Sequence, residues 1–153
     1  MKNSMHMDLA VAIEFAFEPL ELIVTNVTHE AESQEYGACS FDLGTKKINF
    51  RMAKITPTKM GQFVTFWKRS AQGPIAPYDV SDSFDFLIVS VRDAENFGLF
   101  VFPKDVLYDQ GLLSKNGIGG KRAMRVYPPW VLADNKQAKK TQGWQIRYFF
   151  VIQ

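Results

Sequence analysis

Apolar residues recur at helical spacing near the start of the chain, at Leu9, Ile13, Ala16, Phe17 and Leu20. This predicts a helix within residues 8–24 that Pro19 kinks or ends. The period then changes. Glu35–Leu43 and Lys46–Lys54 alternate aromatic or aliphatic residues with polar ones on either side of Gly44-Thr45, the pattern of a β-hairpin. Thr56-Pro57 reads as an N-cap with proline at the first helical position. Residues 56–69 are therefore predicted to form a helix, with Met60, Phe63, Val64 and Trp67 on its buried stripe and Thr58, Gln62, Thr65 and Arg69 opposite.

Prolines, a glycine and aspartates make residues 71–83 a loop, and the apolar run Asp85–Val91 predicts a strand buried on both faces. Phe97–Pro103 reads as another strand, residues 104–114 as a short helix, and Ser114–Gly120 as a glycine-rich loop. Lys121–Tyr127 is a strand stopped by Pro128-Pro129. A helix is expected from Asn135; residues 144–152 read as its continuation or, since Gly143 costs roughly 1 kcal/mol relative to alanine and the segment also alternates, as a strand. Together these elements predict an α/β fold, a single domain over residues 1–153 with a mixed sheet of roughly five strands flanked by helices.

At 153 residues the chain is long enough to bury a core, and 46% hydrophobic with 22% charged residues excludes disorder, collagen and coiled coil. No segment approaches the ~20 apolar residues that span a bilayer, and the first residues lack a signal-peptide core. A soluble cytoplasmic protein with no membrane partner is expected. A single cysteine, Cys39, rules out an internal disulfide, and His6 and His29 are too few to complete a structural zinc site.

The net charge of +2 conceals alternating blocks. Residues 1–35 carry seven acids against Lys2, residues 36–75 seven bases against Asp42, residues 76–110 seven acids against Arg92 and Lys104, and residues 111–153 eight bases against Asp134. If the basic blocks share a face, they form a cationic surface suited to an anionic polymer. If each instead faces an acidic block, they neutralise one another within the fold.

Four segments, Phe50–Arg69, Asp82–Val91, Gly120–Trp130 and Ala138–Phe150, taken in this order, resemble the MepB-like family. Its members are small bacterial cytoplasmic proteins, some encoded beside a multidrug efflux pump and its regulator. The resemblance implies a restriction-endonuclease-like fold and a nucleic-acid partner, DNA foremost. The predicted order of helix, antiparallel strands, helix and strand agrees with the core of PD-(D/E)xK nucleases, as an analogy of topology.

Such nucleases hold Mg²⁺ between carboxylates and use a lysine to orient or activate the attacking water. Lys54 is the candidate lysine, but Met52 stands two residues before it, where the pattern asks for an acid. With the hairpin turn centred on residues 44–46, facing residues sum to about 90, which puts Lys54 opposite Tyr36. Asp42 then lies some 20 Å away, too far to share a metal with Lys54. Glu35 is the acid within reach of Lys54, with Glu30 and Glu32 on the preceding turn. Lys54 and Glu35 are thus the catalytic candidates, and a structural salt bridge of Glu35 with Lys54 or Arg51 is the competing reading. No cofactor is expected, Mg²⁺ entering only if the chain is an active nuclease.

Phosphate-compatible loci arise at the start of the predicted helix, where Thr56 and Thr58 present free amides beside Lys54 and Lys59, and at the glycine-rich loop. There Lys121, Arg122 and Arg125 supply charge while Tyr127 and Trp130 supply stacking faces. The expected nucleic-acid-binding set is Arg51, Lys54, Lys59, Gln62, Lys68, Arg69, Lys121, Arg122, Arg125 and Trp130. Lys68 and Arg69 also fit a plain complement to the helix dipole. Asp79, Asp82 and Asp85 are read as turn chemistry in preference to a cation site. The expected function is DNA binding on an endonuclease-like fold whose metal site is degenerate or absent. The alternatives are an active Mg²⁺-dependent nuclease and a small-ligand or protein-interaction module linked to multidrug efflux.

Overall fold

The computed structural model describes residues 7–30, 34–70 and 73–152; His6 and Glu32 lie outside them. Helical turns open the chain: α1 (Met7–Ala12), a π turn over Ile13–Phe17, and a 3₁₀ turn over Glu18–Leu20 that contains Pro19 and ends the run. Strands β1 (Val24–His29), β2 (Cys39–Leu43) and β3 (Lys46–Met52) then form an antiparallel meander. The long strands β8 (Phe86–Asp93) and β9 (Asn96–Pro103) extend it, β8 running parallel to β3, and β11 (Phe149–Val151) closes the far edge. The six-stranded order is β1-β2-β3-β8-β9-β11.

Both faces of this sheet are covered. On one, Leu9, Ala12 and Phe17 pack over Phe41, Ile48, Phe50, Ile88 and Leu99. Asp8 fastens that layer, since its carboxylate accepts from Arg92 at 3.0 Å and from the Ser90 hydroxyl at 3.3 Å. On the other face, Leu87, Val89, Val91, Phe100 and Phe102 meet Val64, Phe66, Phe84, Leu107 and Val126. Val64 and Val126 belong to a second, three-stranded sheet, in which β5 (Gln62–Thr65) lies between β4 (Lys54–Ile55) and β10 (Ala123–Val126). Beside them lie α2 (Lys104–Asp109), α3 (Lys136–Gln145) and a two-stranded ribbon of β6 (Lys68–Arg69) with β7 (Ile75–Ala76).

Residues 56–69 are not the predicted helix. Thr56 to Gly61 form a loop, and Gln62, Val64 and Phe66 are buried while Phe63, Thr65 and Trp67 are only partly covered, the alternation of a strand. The run Phe63-Val64-Thr65-Phe66-Trp67 is β-branched and aromatic, so strand pairing with β10 outweighs the helix-start signal of Thr56-Pro57. Gly61 marks the loop's exit with a φ of 77°, and a side chain there would strike the Tyr127 ring and the Val126 carbonyl. The C-terminal segment divides its behaviour. The Asn135 side chain accepts from the Ala138 amide and caps α3, which runs through Trp144, and a 3₁₀ turn then releases the chain into β11. Among the described residues no helix is long and apolar enough to cross a membrane.

Candidate nucleic-acid interface

The hairpin turn is the two-residue Gly44-Thr45, with Gly44 at a φ of 61°, so Cys39 faces Phe50 and Asp42 faces Lys47. Facing residues therefore sum to one less than expected. The strand also ends earlier. At Ala53, whose amide bonds to the Ser90 carbonyl, the chain leaves the large sheet, and Lys54 belongs to the small one. Lys54 and Met52 thus sit on different strands, and Lys54 does not lie beside the acids of the large sheet.

At this end of β3 the basic residue is Arg51, 1% exposed. Its guanidinium donates to Glu30 at 3.2 Å and to the Phe50 carbonyl at 2.8 Å, and lies 5.3 Å from the centre of the Phe66 ring. Tyr78 completes the surroundings. Burial pushes its hydroxyl pKa up, with Arg51 opposing the shift as a neighbouring charge. Burial likewise pushes the Cys39 thiol up to about 12, keeping it an inert thiol. Glu30, and not Glu35, is the acid paired with Arg51, while Glu35 is exposed in the 3₁₀ turn over Gln34–Tyr36.

Asn49 and Arg51 stand two residues apart on β3, on the face where Glu30 arrives. Asp42, along the same face, is held by Lys47 at 3.7 Å and by Asn26 at 2.8 Å. Mg²⁺, which this fold implies for cleavage, does not fit here: an amide and a buried guanidinium occupy the spacing where a hard cation needs carboxylate oxygens. Among the described residues no cluster of three or more His, Cys, Asp or Glu side chains stands ready to hold a metal.

Asp79 and Asp82 do turn chemistry, as expected, whereas Asp85 ties the loop to β3. Asp82 accepts from the Asp79 amide at 2.7 Å, Asp85 accepts from the Lys47 amide at 2.8 Å, and Asp79 reaches further. Its carboxylate accepts from the Ser114 hydroxyl at 2.7 Å, the Gly117 amide at 3.1 Å, and the Ser81 hydroxyl and amide at 2.8 and 3.0 Å. An internal carboxylate thus takes the Gly117 amide of the glycine-rich loop, which the sequence pattern offers to a phosphate. The Ser114 hydroxyl first, then the Gly117 and Ser81 donors, hold the Asp79 carboxyl well below the ordinary carboxylate range. A carboxyl with a depressed folded pKa stabilises the fold above its unfolded value, near 4, and that contribution is lost as pH falls toward the folded value. Asp79→Asn is therefore expected to lower the urea midpoint at neutral pH and to flatten its fall in acid. An acid limb identical to the parent's would show that Asp79 contributes nothing to it.

The expected binding residues divide into two groups. Arg51 and Gln62 are interior, Gln62 being 2% exposed and donating to the Arg92 carbonyl at 3.2 Å. Lys68 bridges to Asp82 at 2.7 Å, Arg69 donates to the Gly73 carbonyl at 2.6 Å, and both lie on the ribbon, not at a helix end. Trp130 is half-buried against the core, 5.7 Å from the Phe149 ring. Arg122 is exposed, with its carbonyl accepting from the Phe66 amide. The helix N-terminus expected at Thr56 and Thr58 does not exist.

Lys54, Lys59, Lys121 and Arg125 converge. In the small sheet Lys54 faces Phe63 and Phe63 faces Arg125, forming one cross-strand row on the side away from buried Val64 and Val126. Lys54 Nζ lies 5.1 Å from the centre of the Tyr36 ring, Tyr36 packs edge-on to Phe63 at 6.4 Å, and the Arg125 guanidinium lies 5.9 Å from Phe63. Arg125 also donates to the Met60 carbonyl at 3.0 Å and to the Thr56 hydroxyl, fixing the 56–61 loop. Lys59 and Lys121 join Arg125 around a cleft of about 630 Å³ between that loop, β10 and α3.

A six-stranded mixed sheet with a parallel β3–β8 pair and helices on both sides is a restriction-endonuclease-like α/β fold. The structure of a bacterial homing endonuclease, I-Ssp6803I, shares it with a TM-score of 0.55, covering 97% of this chain and 93% of its own, at 16% identity, a likeness of fold alone. The chain belongs to the MepB-like family, which matches residues 30–151. The crystal structure of MepB agrees with a TM-score of 0.81 at 39% identity, covering 84% of this chain and 86% of MepB. No curated protein matches the sequence.

Proposed function

We propose that this protein binds duplex DNA through the outward face of its small sheet and does not cleave it. The observation that carries the reading is the convergence of Lys54, Lys59, Lys121 and Arg125, drawn from two separate basic blocks of the sequence, around one row and one cleft. Clustered lysines and arginines neutralise phosphates and release counterions, which supplies affinity without reading sequence. The fold shared with a homing endonuclease supports a nucleic-acid partner by analogy. The nuclease alternative is disfavoured by donor chemistry, since the side chain two residues before buried Arg51 on β3 is the Asn49 amide and not a carboxylate, and Lys54 is on another sheet. Purified protein mixed with a labelled mixed-sequence duplex at low salt is expected to retard it in a gel and, with Mg²⁺ or Mn²⁺ added, to leave it intact. Cleavage lost in Lys54→Ala but kept in Lys46→Ala would overturn the non-cleaving part. A duplex that is not retarded would overturn the whole reading.

A further inference from the structure

The cleft beside the basic row has a composition that phosphate contacts along a duplex do not require. Its volume of about 630 Å³ lies within the range of small-molecule sites, roughly 300–1,000 Å³. Among the described residues its lining contains Lys59, Lys121 and Arg125 and no aspartate or glutamate. Two aromatic residues, Tyr127 and Trp144, share the lining, with uncharged donors and acceptors from α3 such as Gln137 and Thr141. The walls are fixed. Gln145, fully buried, accepts from the Tyr127 amide at 2.8 Å and donates to the Arg125 carbonyl at 2.9 Å, and Arg125 is braced on the 56–61 loop. Gly61 lets the Tyr127 ring lie against that loop, because any Cβ there would meet the ring at 2.7 Å.

A cavity of this size with cations, aromatic surface and no acid matches a ligand that is anionic at one end and flat and aromatic at the other. We infer that the cleft takes one nucleoside phosphate, its phosphate held by Lys59, Lys121 and Arg125 and its base set against Tyr127 and Trp144. A free mononucleotide and an unpaired nucleotide of a strand present the same chemistry. Only the second source rests on the DNA-binding reading above.

Titration of the full chain with dAMP, deoxyadenosine and inorganic phosphate, read by tryptophan emission, tests this. We expect dAMP to quench emission at millimolar concentration or below, and to bind several-fold more tightly than deoxyadenosine or phosphate. Trp144→Phe should remove most of the quench. Because Trp144 packs on Phe102 at 5.4 Å, the independent variant is Lys59→Ala/Lys121→Ala, whose residues are exposed and which should weaken dAMP about ten-fold or more. A duplex carrying one unpaired terminal nucleotide should bind more tightly than its blunt counterpart if strands supply the ligand, and equally if free nucleotides do. Absence of dAMP binding together with equal affinity for the two duplexes would overturn the cleft proposal while leaving duplex binding intact. Unweakened dAMP binding in the double-lysine variant would also overturn it.

Discussion

Arg51→Ala is expected to lower unfolding free energy by about 2–5 kcal/mol, chiefly through the cavity that a large buried side chain leaves. Arg51 is a large, 1%-exposed side chain whose guanidinium joins the Glu30 carboxylate, the Phe50 carbonyl and the Phe66 ring. Its loss leaves a cavity between the two sheets and removes the partner of Glu30. Arg51→Met, which keeps volume, should cost clearly less, because Glu30 is partly exposed and regains water when unpaired. Urea unfolding of the three proteins measures this. A cost below about 1 kcal/mol for Arg51→Ala would show that the Arg51 side chain does not hold the sheets together.

The second large effect is on binding. Lys54→Ala/Lys59→Ala/Lys121→Ala is expected to weaken duplex affinity at low salt by on the order of 100-fold, since every lysine that no longer meets a phosphate leaves a counterion condensed on the DNA. Lys59 and Lys121 are exposed and Lys54 is half-buried over Tyr36, so the fold should survive the change. Lys46→Ala, at the far end of the β2–β3 hairpin, should leave affinity within about two-fold of the parent, because an isolated surface charge away from the interface contributes little. Equal weakening by both variants would mean that binding follows total charge and not this face.

Several elements were legible because local pattern and tertiary role agree. The β2–β3 hairpin announces itself through Gly44-Thr45, β8 and β9 through apolar runs, and α3 through its Asn135 cap. The 56–69 segment was not, because Met60, Phe63, Val64 and Trp67 happen to fit a helical stripe while pairing with β10 selects period two. Strand β1 escaped for a different reason. It is an edge strand, largely exposed, with a register shift between Thr25 and Thr28 and Asn26 at a φ of 57°, so it carries almost no apolar alternation.

The site was half legible for the same physical causes. Each reading of the charge blocks describes part of the molecule: Lys59, Lys121 and Arg125 share one cleft, while Arg51 and Lys68 meet acids of the neighbouring blocks. Which acid meets which base depends on register. A shift of one in the hairpin sum and the break at Ala53 moved Lys54 to another sheet and gave Arg51 to Glu30, not Glu35. Nothing in the pattern marked Arg51 or Gln62 as interior, since burial of a charged or amide side chain depends on partners brought from distant segments.

The most direct test is the salt dependence of duplex affinity, measured for the parent and for the triple lysine variant over a range from low to physiological salt. Phosphate contacts from Lys54, Lys59, Lys121 and Arg125 predict a log–log slope of about −3.5 for the parent and a slope of about −1 for the variant. Undetectable binding at low salt, or the same slope in both proteins, would contradict a nucleic-acid interface on the outward face of the small sheet.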